Sequence, residues 1–228
     1  MTPLLTPEEI GITFWLSLRI AGGATLLSLL LGVPLAWLLS RRRLRGRLLW
    51  EGITMLPLVM PPTVLGYYLL TLFGARSFCA HTYHMLTGKD LALVFTWQGA
   101  TLAASIVSLP LLIRTLQPAF ASIDPDLLDA ARVYGASEVQ IVRSLLLPLV
   151  RPALIAGMGL AFARALGDFG ATLMVGGNIP GQTRTLSLAL YDAYNAGDAP
   201  LTNSLVLLLS TLCLSFVLFS GIQTKKSV

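Results

Sequence analysis

The chain has 228 residues, of which 55% are hydrophobic and 12% charged, and its formal net charge at pH 7 is +5. A soluble globular domain carries about 25% charged residues, so this composition excludes that class and indicates a membrane protein with several spans. The positive charge is also compatible with nucleic-acid binding, but most of it lies beside apolar segments, where it is typical of membrane orientation.

The first apolar segment, residues 12–40, is longer than the roughly 20 residues that one span needs. It is therefore predicted to be tilted or to project from the bilayer. Only Arg19 interrupts it, near its start. Five arginines follow within residues 41–47, and the positive-inside rule places this loop in the cytoplasm and the amino terminus outside.

The second and third apolar segments are residues 48–74 and 91–113, joined by a polar outer loop of residues 75–90. Three prolines must kink or break the second segment: Pro57, Pro61 and Pro62. The outer loop contains three possible metal ligands in the spacing CxHxxH: Cys79, His81 and His84. A closed zinc site needs four ligands, so ordinary exposed loop residues are the favoured interpretation.

The polar residues 124–151 interrupt the apolar chain and are predicted to form a cytoplasmic loop. Asp124 followed by Pro125 is typical of a helix N-terminus. Gly135 then offers a C-cap or a sharp turn, and Ser137 begins a sequence that resembles a capping box. The pattern predicts two short helices joined at a glycine.

The fourth and fifth apolar segments are residues 153–175 and 201–222. Between them, residues 176–200 form a second outer loop that is predicted to be partly helical. Four of its apolar residues recur at helical spacing and are predicted to lie along the membrane surface or to line an exit funnel: Leu186, Ala189, Leu190 and Ala193.

The distribution of lysine and arginine supports this arrangement of five spans. Eleven of the 16 lie in segments assigned to the inner face and three in the outer loops. The other two, Arg19 and Arg164, lie within apolar segments. The sequence therefore predicts an all-α polytopic membrane protein, a single transmembrane domain with its N-terminus outside and its C-terminus in the cytoplasm.

The fourth segment contains two ionisable residues, Arg164 and Asp168, spaced to share one helix face. Ionisable groups at membrane depth usually face a bundle interior or a watery cavity. One hypothesis is a translocation pathway in which Arg164 helps an anion across, beside the backbone amides near Gly167 and Gly170 and the hydroxyl of Thr172. The alternative, which the spacing favours, is an ion pair that neutralises both charges.

The polar segment resembles the coupling loop of bacterial ABC importer permeases with the MetI-like fold. Asp129 stands where that family usually has glutamate, and the Ala-Ala pair, the glycine and the closing Leu-Pro match. In that family the loop docks into a cleft on a separate ATPase subunit. The resemblance implies a coupling role for these residues: Asp129, Ala130, Ala131, Gly135, Ala136, Ser137 and Pro148.

A second resemblance, to molybdate permeases, covers nearly the whole chain and includes GDFGATLMVGGNIPGQTRTL, in which Asp168 replaces the common glutamate. It implies the membrane subunit of a molybdate importer, working as a homodimer with two ATPase subunits and an external binding protein. A sulfate, thiosulfate or tungstate permease of the same family is the alternative. Contact with the binding protein is expected from the outer loop residues Asn178, Pro180, Gly181, Thr183 and Arg184.

Several patterns are missing from the sequence. It contains no GxxxxGK[ST] phosphate loop, so ATP is expected to bind to the partner subunit rather than to this chain. No HExxH or GxSxG pattern suggests an enzyme. The expected protein is a transporter subunit of the bacterial inner membrane. It is expected to need no cofactor of its own, to contact the lipid bilayer and not to bind nucleic acid.

The charge asymmetry predicts opposite accessibility for two positions. In a background without Cys79 and Cys213, Thr87→Cys should react with a membrane-impermeant thiol reagent in intact cells. Gly46→Cys should react only after the membrane has been opened. The reverse labelling pattern would reject the five-span arrangement with its N-terminus outside.

Overall fold

A computed structural model describes residues 6–41 and 45–226 of the chain. Within these residues the regular structure is helical, and a π-helical segment (Val142–Leu146) joins α7 to α8. The helices, in chain order, are α1 (Pro7–Ser40), α2 (Arg47–Val59), α3 (Pro62–Phe73), α4 (Phe78–Thr87), α5 (Trp97–Ala121), α6 (Pro125–Val133), α7 (Glu138–Ile141), α8 (Leu147–Leu166), α9 (Gly170–Gly176), α10 (Leu186–Asn195) and α11 (Ala199–Lys226). Arg42 and Arg43 of the predicted basic loop lie outside the described residues.

Several helices could cross a membrane by length and composition. In the described part of the chain, four qualify alone: Glu8–Ser40, Trp97–Ala121, Glu138–Leu166 and Ala199–Ile222. A fifth candidate is α2 together with the segment Pro62–Thr87, which are bent by 108° relative to each other. These helices confirm the predicted multi-pass, all-α architecture, and the count reaches five if the bent pair is one span.

The second apolar segment is broken, in agreement with its prolines. α2 ends at Val59, and α3 starts at Pro62 after two residues of extended backbone. A clash with the proline ring disfavours the helical region for the residue before a proline, so the two consecutive prolines Pro61 and Pro62 favour a break in the helix. The second apolar segment therefore consists of two helices in different directions.

The outer loop between the second and third segments is more ordered than predicted, because it contains α4. The Ser77 hydroxyl accepts a hydrogen bond from the Ala80 amide at 3.0 Å, and Gly88 ends the helix with φ 68°. His84 Nδ1 lies 3.2 Å from Asp90 Oδ1. Among the described residues, no cluster of three or more His, Cys, Asp or Glu side chains could hold a metal ion.

α5 differs at both ends from the third predicted apolar segment, residues 91–113. α5 starts at Trp97, where the Thr96 hydroxyl accepts a hydrogen bond from the Gly99 amide, and it continues to Ala121. The preceding apolar residues 91–96 are not helical. Phe95 has a positive φ of 60° and donates its amide to the Val175 carbonyl at 2.8 Å. Hydropathy alone could not distinguish these non-helical apolar residues from the start of a spanning helix.

The helices of the fourth apolar segment also differ from its predicted bounds, residues 153–175. The chain is helical from Glu138 to Leu166 and then breaks before α9. Pro148 does not interrupt the helix, because a π turn precedes it, in which the Leu147 amide donates to the Val142 carbonyl. The wider turn takes up the proline ring and its missing amide donor.

The centre of the molecule is formed by α1, α5 and α8, with small side chains at the contacts. Ala21 and Ala24 of α1 pack against Ala100 and Ala104 of α5, and all four are fully buried. Small residues let helix backbones approach closely, which gives strong dispersion contact where the hydrophobic effect between helices is absent. The end of α8 packs against this helix pair in the same cluster, through Phe162, Ala165 and Leu166.

Two shorter helices, α3 and α10, pack near the break in the fourth segment. A Cβ added to Gly66 of α3 would lie 2.9 Å from the Ala171 Cα, so α3 packs closely on α9. α10 buries Leu186, Ala189 and Ala193 in a cluster that includes Leu205 of α11. These three residues are therefore covered within the chain and do not lie on the membrane surface or line a funnel as predicted. The fourth predicted residue, Leu190, is half-buried and lines an open cavity beside Tyr191.

Candidate functional site

The polar loop forms two short helices around a glycine turn, as its sequence predicts. The Asp124 carboxylate accepts a hydrogen bond from the Asp126 amide at 3.0 Å and begins α6. Gly135 has φ 84°, a left-handed conformation that a side chain would strain. Ser137 and Gln140 form the reciprocal capping box that begins α7. The predicted start, turn and restart are confirmed.

Arg132 connects the two helices across this turn. It donates to the Asp129 carboxylate at 2.6 Å and to the Glu138 carboxylate at 2.8 Å. These hydrogen bonds, the one to Glu138 foremost, raise the pKa of Arg132 above its usual value. Each pair is exposed and adds little stability alone; the Asp129 pair lies within α6, and the Glu138 pair joins α6 to the start of α7. Sequence reasoning did not select Arg132, although its spacing from Asp129 is a helical i,i+3 pair.

The turn carries apolar side chains that no part of the described chain covers. Val133 and Tyr134 are 86% and 91% exposed, and Val139 is 62% exposed. A cleft of about 360 Å³ lies beside them, lined in part by Gly135 and Ala136. Exposed apolar groups concentrated on a polar segment mark an interaction surface.

The predicted coupling residues fall in two places. Asp129, Ala130 and Ala131 lie on α6, directly before the turn, and Gly135, Ala136 and Ser137 form it. Pro148 is exposed but lies farther along, at the start of α8. The structure therefore brings six of the seven together in one exposed surface.

The second site lies where the fourth segment breaks. The Arg164 Nη1 is 3.3 Å from the Asp168 Oδ1, and the Asp168 side chain is fully buried while that of Arg164 is 28% exposed. The backbone amide and the hydroxyl of Thr172 donate to the other carboxylate oxygen at 2.9 and 2.8 Å. The predicted ion pair is present, but it joins the end of α8 to the break before α9 rather than lying on one continuous helix, and a pathway role for these residues stays a prediction.

Serine and threonine side chains connect this break to α10 and α1. The Ser187 hydroxyl donates to the Asp168 carbonyl at 2.7 Å and lies 2.9 Å from the Thr185 hydroxyl. The Leu186 amide donates to the Ser17 hydroxyl at 2.8 Å. Sequence reasoning missed Ser17 and Ser187, since they lie far apart in the chain and carry no distinctive pattern.

The outer loop after α9 is fixed by an aspartate that sequence reasoning also missed. The Asn178 amide donates to both Asp192 carboxylate oxygens at 2.9 and 2.8 Å. Arg184 donates to the Asn178 side-chain oxygen at 3.1 Å and lies 3.4 Å from Asp192. Asn178 and Arg184 are therefore held against α10 by this carboxylate.

The five predicted contact residues of this loop are thus not equivalent. Thr183 is fully buried, and its hydroxyl accepts a hydrogen bond from the Ile179 amide at 3.1 Å. Pro180 and Gly181 are exposed at the tip of the loop. The tip is available to a partner, while Asn178, Thr183 and Arg184 give the loop its shape.

Comparison with known proteins identifies relatives over most of the chain. The family described as binding-protein-dependent transport system inner membrane component matches residues 28–226. The molybdenum transport system permease protein ModB of Escherichia coli (strain K12) is 43% identical over 77% of this chain and 76% of its own length. YvgM of Bacillus subtilis (strain 168), provisionally named a molybdenum transport system permease protein, is 39% identical over 98% of this chain and 96% of its own. The sulfate transport system permease protein CysT of Salmonella typhimurium (strain LT2) is 32% identical over 98% and 79%.

Solved structures show the same fold at lower identity. A chain of the MetNI methionine ABC transporter, in inward-facing conformations, has a TM-score of 0.71 at 18% identity, over 98% of this chain and all of the other. A bacterial alginate ABC transporter, in complex with an alginate-bound periplasmic protein, has a TM-score of 0.73 at 16% identity, over 97% and 80%. The fold is that of the transmembrane subunits of ABC importers, the MetI-like fold.

The geometry of Asp168 predicts an asymmetric response to substitution. Arg164→Ala should lower the thermal stability of the purified protein by about 1–3 kcal/mol, because it leaves a buried carboxylate short of a partner. Arg164→Ala combined with Asp168→Asn should recover most of this loss, since the uncharged amide oxygen still accepts from Thr172. A double variant less stable than Arg164→Ala would contradict charge pairing as the main role of Arg164.

Proposed function

The chain belongs to the family of binding-protein-dependent transport system inner membrane components, and we propose that it is the permease subunit of an ATP-driven molybdate importer. The greater similarity to relatives named for molybdenum transport than to the sulfate relative carries the choice of substrate. The proposed location is the bacterial inner membrane, and the proposed assembly is a homodimer with two cytoplasmic ATPase subunits and an external binding protein.

The exposed turn between α6 and α7 is the proposed docking surface for the ATPase. Its apolar side chains Val133 and Tyr134 are exposed and suit insertion into a cleft. The ion pair of Arg132 with Glu138 across the turn would hold the two helices together, while its pair with Asp129 lies within α6. A rigid element of this kind can transmit a displacement rather than absorb it.

The continuous helix from Glu138 to Leu166 offers a route for that displacement. At about 1.5 Å per residue its 29 residues rise roughly 43 Å, which exceeds the thickness of a bilayer core. One end carries the turn at Gly135, and the other ends beside the Arg164–Asp168 pair. Movement of the turn on ATP binding would thus shift the break, where the proposed pathway residues Gly167, Gly170 and Thr172 also lie.

The exposed loop tip at Pro180 and Gly181 is the proposed contact with the binding protein. The tip continues through Thr185 into α10, whose Ser187 donates to the Asp168 carbonyl. Contact at the tip would therefore reach the break from the side opposite to the ATPase. We propose that release of the anion and opening of the pathway are linked through this hydrogen bond.

The turn assignment predicts a specific loss of coupling. Gly135→Val should force a β-branched residue into a φ of 84° and distort the docking surface. The variant should reach the membrane in normal amounts but lose ATP-dependent transport and co-purify poorly with the ATPase. Gly88→Val is the matched control, because Gly88 has φ 68° at the end of α4. Equal effects of both substitutions would reject a coupling role for Gly135.

The substrate is tested by uptake into vesicles that contain this chain, its ATPase and its binding protein, with ATP on the cytoplasmic side. Molybdate should be taken up only when ATP is present. Tungstate should compete well, because it is a tetrahedral dianion of nearly the same size, and sulfate should compete poorly. Uptake of sulfate without competition from molybdate would establish the sulfate alternative.

A further inference from the structure

One face of α1 is exposed along most of its length. Trp15 is 70% exposed, Leu26 is 66% exposed and Leu30 is 70% exposed. Arg19 is also exposed and lies between Trp15 and Leu26 on the same face, at helical spacing. A Cβ added to Gly22, the residue between Arg19 and Leu26 on this face, would meet nothing within 4 Å. These five residues define the α1 stripe.

Arg19 differs from Arg164 and Arg184, two arginines near the outer half of the molecule that are paired with carboxylates. Arg164 and Arg184 each lie within 4 Å of a carboxylate, those of Asp168 and Asp192. In the described part of the chain, none of the ion pairs includes Arg19. Its guanidinium instead stacks 3.8 Å above the ring centroid of Trp97. Stacking holds the guanidinium of Arg19 in place and leaves the N–H groups at its edge available to donate hydrogen bonds.

The depth of Arg19 follows from the length of α1. Arg19 and Arg41 are 22 residues apart, which corresponds to about 33 Å of helix and thus to the thickness of a hydrocarbon core. Arg41 stacks 4.0 Å from the Trp37 ring centroid at the inner end. Arginine and tryptophan are both suited to the headgroup level. Arg19 therefore lies at the outer headgroup level of the bilayer, with the apolar part of the stripe below it.

A cavity of about 510 Å³ opens at this level. It is lined by Trp15, Leu16, Arg19 and Gly181, with Glu8 at its outer end. Glu8 precedes Arg19 by three helical turns, about 16 Å along the axis, so it does not neutralise the guanidinium. A cationic donor therefore lines the cavity, and the surface at Gly22, one turn further along the same face, is open.

We propose that the α1 stripe binds an anionic phospholipid of the outer leaflet. The phosphate accepts hydrogen bonds from Arg19, whose planar guanidinium matches phosphate oxygens in pairs. One acyl chain lies over Gly22 and along Leu26 and Leu30, and Trp15 packs beside the glycerol region. The positive charge favours a lipid with net negative charge over a zwitterionic one. This site is independent of the proposed substrate.

The test measures lipid bound to the full chain in detergent by native mass spectrometry, with dioleoyl phosphatidylglycerol or dioleoyl phosphatidylethanolamine added. The unchanged chain should retain phosphatidylglycerol in preference. Arg19→Gln should reduce its retention about tenfold, since it removes charged hydrogen bonds to the phosphate. Arg76→Gln, which removes an exposed arginine from the loop before α4, is the control and should retain the lipid normally.

A second variant tests the acyl-chain part of the site without changing the charge. Gly22→Leu should fill the space beside Arg19 and also reduce lipid retention, while Gly52→Leu, at an equally open glycine of α2, should not. Equal retention by Arg19→Gln and the unchanged chain would overturn the proposal. So would binding of inorganic phosphate that competes with the lipid at equal concentration, because the site would then be one for small anions. Cross-linking of Leu26→Cys to a second copy would show that protein covers the stripe.

Discussion

The buried carboxylate of Asp168 is the constraint on which the arrangement of the fourth segment depends. A carboxylate removed from water is costly unless charge and hydrogen bonds compensate it. Arg164 supplies the charge, and the amide and hydroxyl of Thr172 supply two donors. In a continuous helix the Thr172 amide would donate to the Asp168 carbonyl, so its hydrogen bond to the carboxylate depends on the break between α8 and α9. The carboxylate thus stabilises a break that would otherwise leave backbone groups unsatisfied in the membrane.

The same break is the meeting point of three elements that come from opposite faces of the molecule. The helix from Glu138 arrives from the turn at Gly135, and α10 arrives from the outer loop through Ser187. α1 joins them through Ser17, which accepts from the first amide of α10. A displacement of the helix from Glu138 or of α10 would therefore change the hydrogen bonds at the break around Asp168. This convergence gives the fold a physical connection between its two faces.

Local chemistry made part of this structure predictable. Asp124, Gly135 and Ser137 act through contacts within a few residues, so caps and turn could be read from the chain. The ion pair of Arg164 with Asp168 was predictable for the same reason. The role of Asp192 was not, because its partners lie up to 14 residues away and no periodicity connects them. Hydropathy located the apolar segments, but two of their predicted ends differ from the ends of the helices. Apolar residues 91–96 are not helical, and a π turn lets the helix continue through Pro148.

The pairing of Arg164 bears on how a dianion could pass such a pathway. An unpaired guanidinium about 4 Å from a dianion, at an effective dielectric constant near 20, would attract it by roughly 8 kcal/mol. An attraction of that size would hold the anion in place, whereas transport requires binding that is weak enough to be left again. Asp168 reduces this attraction by placing a negative charge 3.3 Å from the same guanidinium. Neutral donors, such as backbone amides at the break, can then replace hydration without forming a trap. A paired arginine is thus better suited to a pathway for a dianion than a free one, and the ion pair and the pathway are compatible roles for the same residues.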